Sequence, residues 1–264
     1  MIDRLVIGGG HVFETIVQGA TITLAMDRGP VNAINDDWID ALHQVLDRHE
    51  SDSAVRILRF SSRLKVFSAG AEIDFLVERL STPAGIDAMI GTLRKMQAVF
   101  DRIERSPLVS IAEINGAALG GGFELALACD LRVAAEDASV GLPEAGLALL
   151  PGAGGSQRLT KLCGPAVARR LILGAETVAG AAALRLGLVH WVYPAPELTD
   201  GTDQIVRRLA TLPKHVLDAN KRCILAAQER DANGSELEVS MTRLLYEHPE
   251  SMQRLRAFLA RRAR

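Results

Sequence analysis

Between residues 115 and 124 the chain reads Asn115-Gly116-Ala117-Ala118-Leu119-Gly120-Gly121-Gly122-Phe123-Glu124, joining an apolar run of strand length, Leu108 to Ile114, directly to an apolar helical run, Phe123 to Cys129. Three consecutive glycines leave the backbone bare where the helix begins. Unpaired N–H groups point outward there and the helix dipole favours negative charge, so an oxyanion fits. A phosphate cradle is disfavoured, because neither GxxxxGKS/T nor GxGxxG spacing is present. The remaining alternative is that the glycines only let the helix pack closely on the strand.

Strands and helices alternate around this joint. Val12 to Val17 and Thr21 to Met26 predict a hairpin, and Asp36 or Asp37 caps a helix to about Glu50 with Ile39, Leu42 and Leu46 on its buried face. Val55 to Phe60 reads as a strand. Pro83 to Glu104 reads as a helix with Met89, Leu93, Met96 and Phe100 on one face, the methionines lining core or pocket, and Leu131 to Ala135 reads as a further strand. The alternation predicts an α/β fold with helices packed on a parallel sheet. From about Ser156 strand signals nearly vanish apart from Leu188 to Tyr193, so a helical tail follows the core. The turn at Pro194 to Pro196 divides residues 1–195, the core with the active site, from residues 196–264, a C-terminal helical region.

Composition excludes several partners. The 264 residues are 48% hydrophobic and 23% charged with a net charge of -2, so no global positive field draws in nucleic acid or anionic lipid. No apolar stretch approaches the roughly 20 residues needed to cross a bilayer, and the N-terminus carries only a short apolar patch with no evident secretion signal. Cys129, Cys163 and Cys223 are odd in number and form no CxxC pair, which disfavours a disulfide framework or a zinc site and fits a reducing cytoplasm. None of the six histidines falls in HExxH or beside a GxSxG elbow, so no metal is expected.

Two carboxylates stand alone among apolar neighbours. Glu124 lies within Phe123, Leu125, Ala126, Leu127 and Ala128, and Glu144 lies in Gly141-Leu142-Pro143-Glu144-Ala145-Gly146, just before the glycine-rich Pro151-Gly152-Ala153-Gly154-Gly155. Burial raises a carboxyl pKa towards neutrality, where proton transfer is efficient. If the turns meet, one carboxylate can activate water while the other delivers a proton.

Across nearly its whole length the sequence resembles the crotonase superfamily, the enoyl-CoA hydratase/isomerase family. Phe67-Ser68-Ala69-Gly70-Ala71-Glu72-Ile73 is similar to the family's first oxyanion segment, Asn115 to Cys129 to its second, and Gly141 to Arg158 to the hydratase form of the next block. The resemblance implies a ClpP-like spiral core of repeated ββα units, with the C-terminal helices serving oligomerisation as a homotrimer or homohexamer. It implies that the N–H groups of Ala71 and Gly121 polarise a thioester carbonyl, with Glu124 as base toward water and Glu144 as acid toward the α-carbon. Ala69, Glu72, Ile73, Gly120, Asn32 and Ala33 are substrate-binding candidates by the same resemblance. So are Phe258 and Arg261 of the closing Phe258-Leu259-Ala260-Arg261-Arg262, which the family uses across a trimer interface to meet the CoA nucleotide; Lys221 is a second candidate for that role.

The implied activity is reversible syn addition of water to a trans-2-enoyl-CoA, giving a 3-hydroxyacyl-CoA, in fatty-acid or related acyl-CoA degradation. No cofactor is implied beyond the coenzyme A of the substrate. Isomerisation of an enoyl-CoA or dehydration of a specialised hydroxyacyl-CoA is the alternative, and an RNA-binding, non-catalytic homologue a distant one, since no lysine-rich helix is present. The chain departs from the family at Glu72, where aspartate is usual, at Leu142, where some hydratases carry glutamine, at Gly29 before Pro30, and at Glu113, where a small apolar residue is common. For Glu113 an additional catalytic acid stands beside a solvated or interface-paired glutamate.

Overall fold

The computed structural model describes residues 2–7, 10–70, 73–229 and 232–262, with side chains described only between residues 12 and 257 of these. Two antiparallel pairings open the chain: β1 (Ile2–Ile7) on β2 (Gly10–Gln18), and β2 on β3 (Thr21–Met26). The β2–β3 hairpin matches the sequence expectation, while β1 is a strand where the sequence shows only a short apolar patch. After β3 every further strand of this sheet runs parallel to its neighbours: β4 (Ile57–Ser62), β5 (Val109–Ile114), β7 (Leu131–Ala135) and β10 (Trp191–Tyr193). Ile22, Leu24, Leu58, Phe60, Ile111 and Val133 are fully buried, as expected of parallel strands covered on both faces.

A second, smaller sheet explains the spiral. It contains β6 (Ala118–Leu119), β8 (Ser139–Gly141) and β9 (Thr177–Ala179), and Ser68 bridges in parallel to Ala118 at its edge. The chain repeats one path: β4, the bridge at Ser68, then helices α2 (Ile73–Leu80) and α3 (Pro83–Arg105); β5, β6, then α4 (Gly121–Ala128); β7, β8, then a 3-10 turn (Pro143–Leu147) and α5 (Gly155–Leu173). Successive turns therefore place the starts of successive helices side by side. This is the α/β spiral of ββα units anticipated above.

α1 (Asp36–His49) precedes β4, and its N-cap is Asn35 rather than either aspartate. Asn35 has extended backbone and its side chain accepts from Trp38 N at 3.0 Å, while Asp36 sits in the first turn and pairs with Lys95. Trp38 meets Phe13 edge-on at 5.2 Å and Phe100 at 6.5 Å, locking β2, α1 and α3 together. α6 (Gly180–Arg185) leads to β10, and α7 (Leu198–Ala210) then packs back over the sheet.

α7 carries Thr199 and Asp203 onto a buried ion pair. Glu113 of β5 pairs with Arg59 of β4, Thr199 Oγ1 donates to Glu113 at 3.1 Å, and Arg59 also reaches Asp203 at 2.6 Å. The departure at Glu113 is thus an ion-paired glutamate beneath α7. α8 (Lys214–Ala226) follows, and its Lys221 is buried, donating to Asp130 at 2.8 Å and to the carbonyls of Ile103 and Leu108. α9 (Gly234–Glu247) and α10 (Pro249–Arg262) complete the tail; His248 between them stacks on His215 of α8 at 3.7 Å. Among the described residues no helix is long and apolar enough to cross a membrane.

Candidate active site

The glycine triplet sits at the start of α4. Gly120 adopts φ 53 and ψ −127, a region open to glycine and costly for other residues, and its carbonyl accepts from both Phe123 N and Glu124 N at 2.9 Å. The N–H of Gly121 has no acceptor among the described residues. Beside it runs the Phe67 to Gly70 segment, held by Ser68 N to Ala117 O and Leu119 N to Ser68 O, each at 3.0 Å. Gly70, at φ 83, comes so close that a methyl group on it would lie 2.9 Å from Gly121 N. Bare backbone on both sides thus opens a notch at the Gly121 amide.

The two expected oxyanion segments are therefore neighbours. Ala71 and Glu72 lie outside the described residues, and Ile73 opens α2 with its side chain exposed. Ala69 is half-buried, its N–H donated to Val31 O at 3.0 Å. Asn32 and Ala33 stand behind the segment rather than in the notch. Asn32 is fully buried, its amide donates to Ser62, Phe67 and Val66, and its side-chain oxygen accepts from Arg28 N. Ala33 is buried and its carbonyl accepts from Arg28. Together with Ile34 N to Gly70 O and Ser68 Oγ to Asn32 O, this network fixes the backbone of the first segment.

α4 is buried on every side from Gly122 to Ala128, so Glu124 in its first turn is only 3% exposed. An isolated carboxylate there needs donors. It finds two: Ala153 N at 2.8 Å and Gly155 N at 2.7 Å, both reaching Oε1. Burial outweighs these bonds and pushes the Glu124 pKa up to about 7, with the charge of Glu144 adding to the rise and Arg158 opposing it.

Glu144 comes from the 3-10 turn and faces the same glycine joint. A methyl group on Gly120 would lie 3.2 Å from its Oε1, while its Oε2 is buried and has no hydrogen-bond partner among the described residues. Burial raises its pKa as well. Leu142, fully buried, stands where some hydratases carry a polar neighbour, which keeps this side dry. α3 closes the other side: Met96 Cε would meet a methyl on Gly121 at 3.2 Å, and Leu93 one on Gly152 at 3.1 Å.

Two raised carboxyls beside one glycine and a bare N–H can share a proton across a small bound molecule while its developing negative charge rests on the amide. Sequence reasoning missed the donors of Ala153 and Gly155, and the contact of Arg158 with Ala153 O at 3.1 Å. The run Pro151 to Gly155 signals a turn, but backbone donors have no residue signature of their own. Phe258 and Arg261 fall in α10, with side chains outside those described, and Lys221 is committed to Asp130 in the interior.

Comparison with known proteins follows the same lines. The family profile described as enoyl-CoA hydratase/isomerase matches residues 17–264. A short-chain-enoyl-CoA hydratase of Clostridium acetobutylicum is 34% identical over 202 residues, 76% of this chain and 76% of its own. A crotonyl-CoA hydratase of Syntrophomonas wolfei is 33% identical over 234 residues, 88% of each chain. The crystal structure of an enoyl-CoA hydratase from Bacillus anthracis superposes with a TM-score of 0.88 at 27% identity, covering 95% of this chain and 97% of that one.

Proposed function

The chain belongs to the enoyl-CoA hydratase/isomerase family, and from that premise we propose that it is an enoyl-CoA hydratase, a hydro-lyase that adds water reversibly to a trans-2-enoyl-CoA. The observation that carries this reading is the pair of carboxyls, buried Glu124 and half-buried Glu144, brought to one glycine joint from separate turns of the spiral. Bond shifting needs one proton carrier; hydration employs two, one at each carbon.

In the proposed reaction the thioester oxygen lies in the notch, accepting from the N–H groups of Gly121 and Ala71. Glu124 takes a proton from water as its oxygen bonds to the β-carbon, the π electrons shift towards the carbonyl, and Glu144 delivers a proton to the α-carbon. Each oxyanion donor can contribute about 3 kcal/mol to the transition state. The pair must hold one proton, and the charge is redistributed without any change in oxidation state, so the chemistry calls for no cofactor beyond the CoA of the substrate.

Burial raises both carboxyls. In the reverse direction their roles exchange, Glu124 protonating the departing hydroxyl while Glu144 removes the α-proton, so dehydration of a 3-hydroxyacyl-CoA is the second reading of the same site.

The reading extends to a homotrimer or homohexamer in the cytoplasm, acting in acyl-CoA degradation. In support of oligomerisation, α9 buries no residue, and Val239, Leu244, Tyr246, Met252 and Leu255 on the tail helices are exposed. By the family resemblance, Phe258 and Arg261 meet a neighbour's CoA in such an assembly. The test is to offer the purified protein a panel of trans-2-enoyl-CoA thioesters and follow loss of the conjugated absorbance. Consumption with formation of 3-hydroxyacyl-CoA is expected; no consumption at any chain length refutes the proposal.

A further inference from the structure

We infer that Arg158 is a positioning residue for Glu124: its guanidinium, anchored on α3, clamps the Ala153 to Gly155 turn so that two backbone N–H groups converge on one carboxylate oxygen. The inference rests on the role proposed for Glu124 and adds a residue that acts through the turn.

The turn needs a clamp. Residues 152, 154 and 155 are all glycine, and Gly154 takes φ 100, so the backbone has little intrinsic preference for the shape that aims Ala153 N and Gly155 N at Glu124. Convergence of both donors within 2.8 Å of a single oxygen therefore has to be imposed from outside.

Arg158 does this from one turn into α5. Its Nη1 donates to Ala153 O at 3.1 Å, and a methyl group on Gly154 would lie 2.2 Å from that nitrogen, so the guanidinium lies flush against the turn. The other nitrogens are tied to α3: Nε to Glu104 at 3.2 Å, and Nη2 to Asp101. The side chain is only 7% exposed. A planar, fixed fork suits this task, because it holds a carbonyl on one edge and carboxylates on the others without rotating. Its charge also lies close enough to Glu124 to oppose the burial that raises that carboxyl.

A purely structural link between α3 and α5 would alter stability and leave the Glu124 proton unchanged. The test compares wild type, Arg158→Lys and Arg158→Met by titrating the 13C-labelled Glu124 carboxyl, assigned with Glu124→Gln, and by the pH profile of turnover. Arg158→Met is expected to move the Glu124 titration upward by about one unit, as loss of a neighbouring cation and of fixed donors requires. Its kcat is expected to fall at least about tenfold with little change in KM. Arg158→Lys restores part of both.

A folded Arg158→Met protein with the wild-type titration and kcat overturns the inference. Should Arg158→Met not fold, Glu104→Gln, which loosens the anchor and leaves the guanidinium in place, must move the same titration upward, and an unmoved titration is equally fatal. The titration needs no substrate. Absent turnover in wild type would therefore count against the hydratase reading, while the titration alone would still decide the positioning role.

Discussion

The backbone N–H of Gly155 lies 2.7 Å from Oε1 of Glu124, and a methyl group in place of its hydrogen would lie 2.8 Å from both Cγ and Oε1 of the same side chain. The Glu124 carboxyl is thus held by a residue whose missing side chain is as important as its amide. Gly155 opens α5 with no left-handed φ, so alanine there meets no backbone strain.

Gly155→Ala is therefore expected to fold and to displace the Glu124 carboxylate. A misplacement of about 1 Å can cost roughly a hundredfold in rate. Steady-state kinetics with an enoyl-CoA should show that loss mainly in kcat, with circular dichroism unchanged. Wild-type turnover in the alanine variant would mean that Glu124 is not held as described.

The shared proton predicts a bell-shaped pH profile. The repulsion of ionised Glu144 contributes to the Glu124 value of about 7, so this is the loss of the last proton from the pair. In the proposed mechanism the singly protonated pair is the active form, so kcat/KM should fall above about pH 7, and fall again in acid as the second carboxyl is protonated. Rates flat across this range would contradict the pairing.

The same shift makes Glu124 a burden on stability. Its folded pKa lies above the ordinary 4.5, so the folded chain holds this proton more tightly than the unfolded one. The associated stability is fully present below about pH 4.5 and is lost as pH rises through about 7. At roughly 1.4 kcal/mol per unit this amounts to about 3 kcal/mol. Glu124→Gln keeps an acceptor for both amides and cannot ionise, so its unfolding midpoint should exceed wild type at about pH 8 and approach it at about pH 5. A variant less stable than wild type under the alkaline condition would refute the burial argument.

Glu113 is expected to matter for folding alone. Among the described residues, removing it leaves buried Arg59 with the half-exposed Asp203 as its remaining ion-pair partner, and breaking such a pair costs about 3 kcal/mol. Glu113→Ala should lower the unfolding free energy by that order while kcat stays within about twofold of wild type. A collapse of kcat at unchanged stability would make Glu113 a catalytic acid.

The glycine triplet and a lone carboxylate within an apolar helix locate the Gly121 to Glu124 half of the site, because both features violate ordinary helix composition. Glu144 is legible through the hydratase-like block around it, but its approach to Gly120 requires the fold. Arg59 and Asp203 are 144 residues apart, and no local pattern announces their meeting. β9 spans three residues, too few to show a period, and β4 runs two residues later than expected because Ser61 and Ser62 continue the ladder with Ala25 and Met26. The Asn35 cap escapes the sequence because two aspartates beside it compete on the same rule.

The central claim is that Glu124 and Glu144 act together on one thioester, and the most direct measurement is kcat for Glu124→Gln, Glu144→Gln and the double variant with a single enoyl-CoA substrate. Residues that act as a unit are strongly non-additive. Each single change is predicted to depress kcat by orders of magnitude, with the double variant close to the slower single. Wild-type rates in either single variant, or losses that simply multiply in the double, would contradict the account.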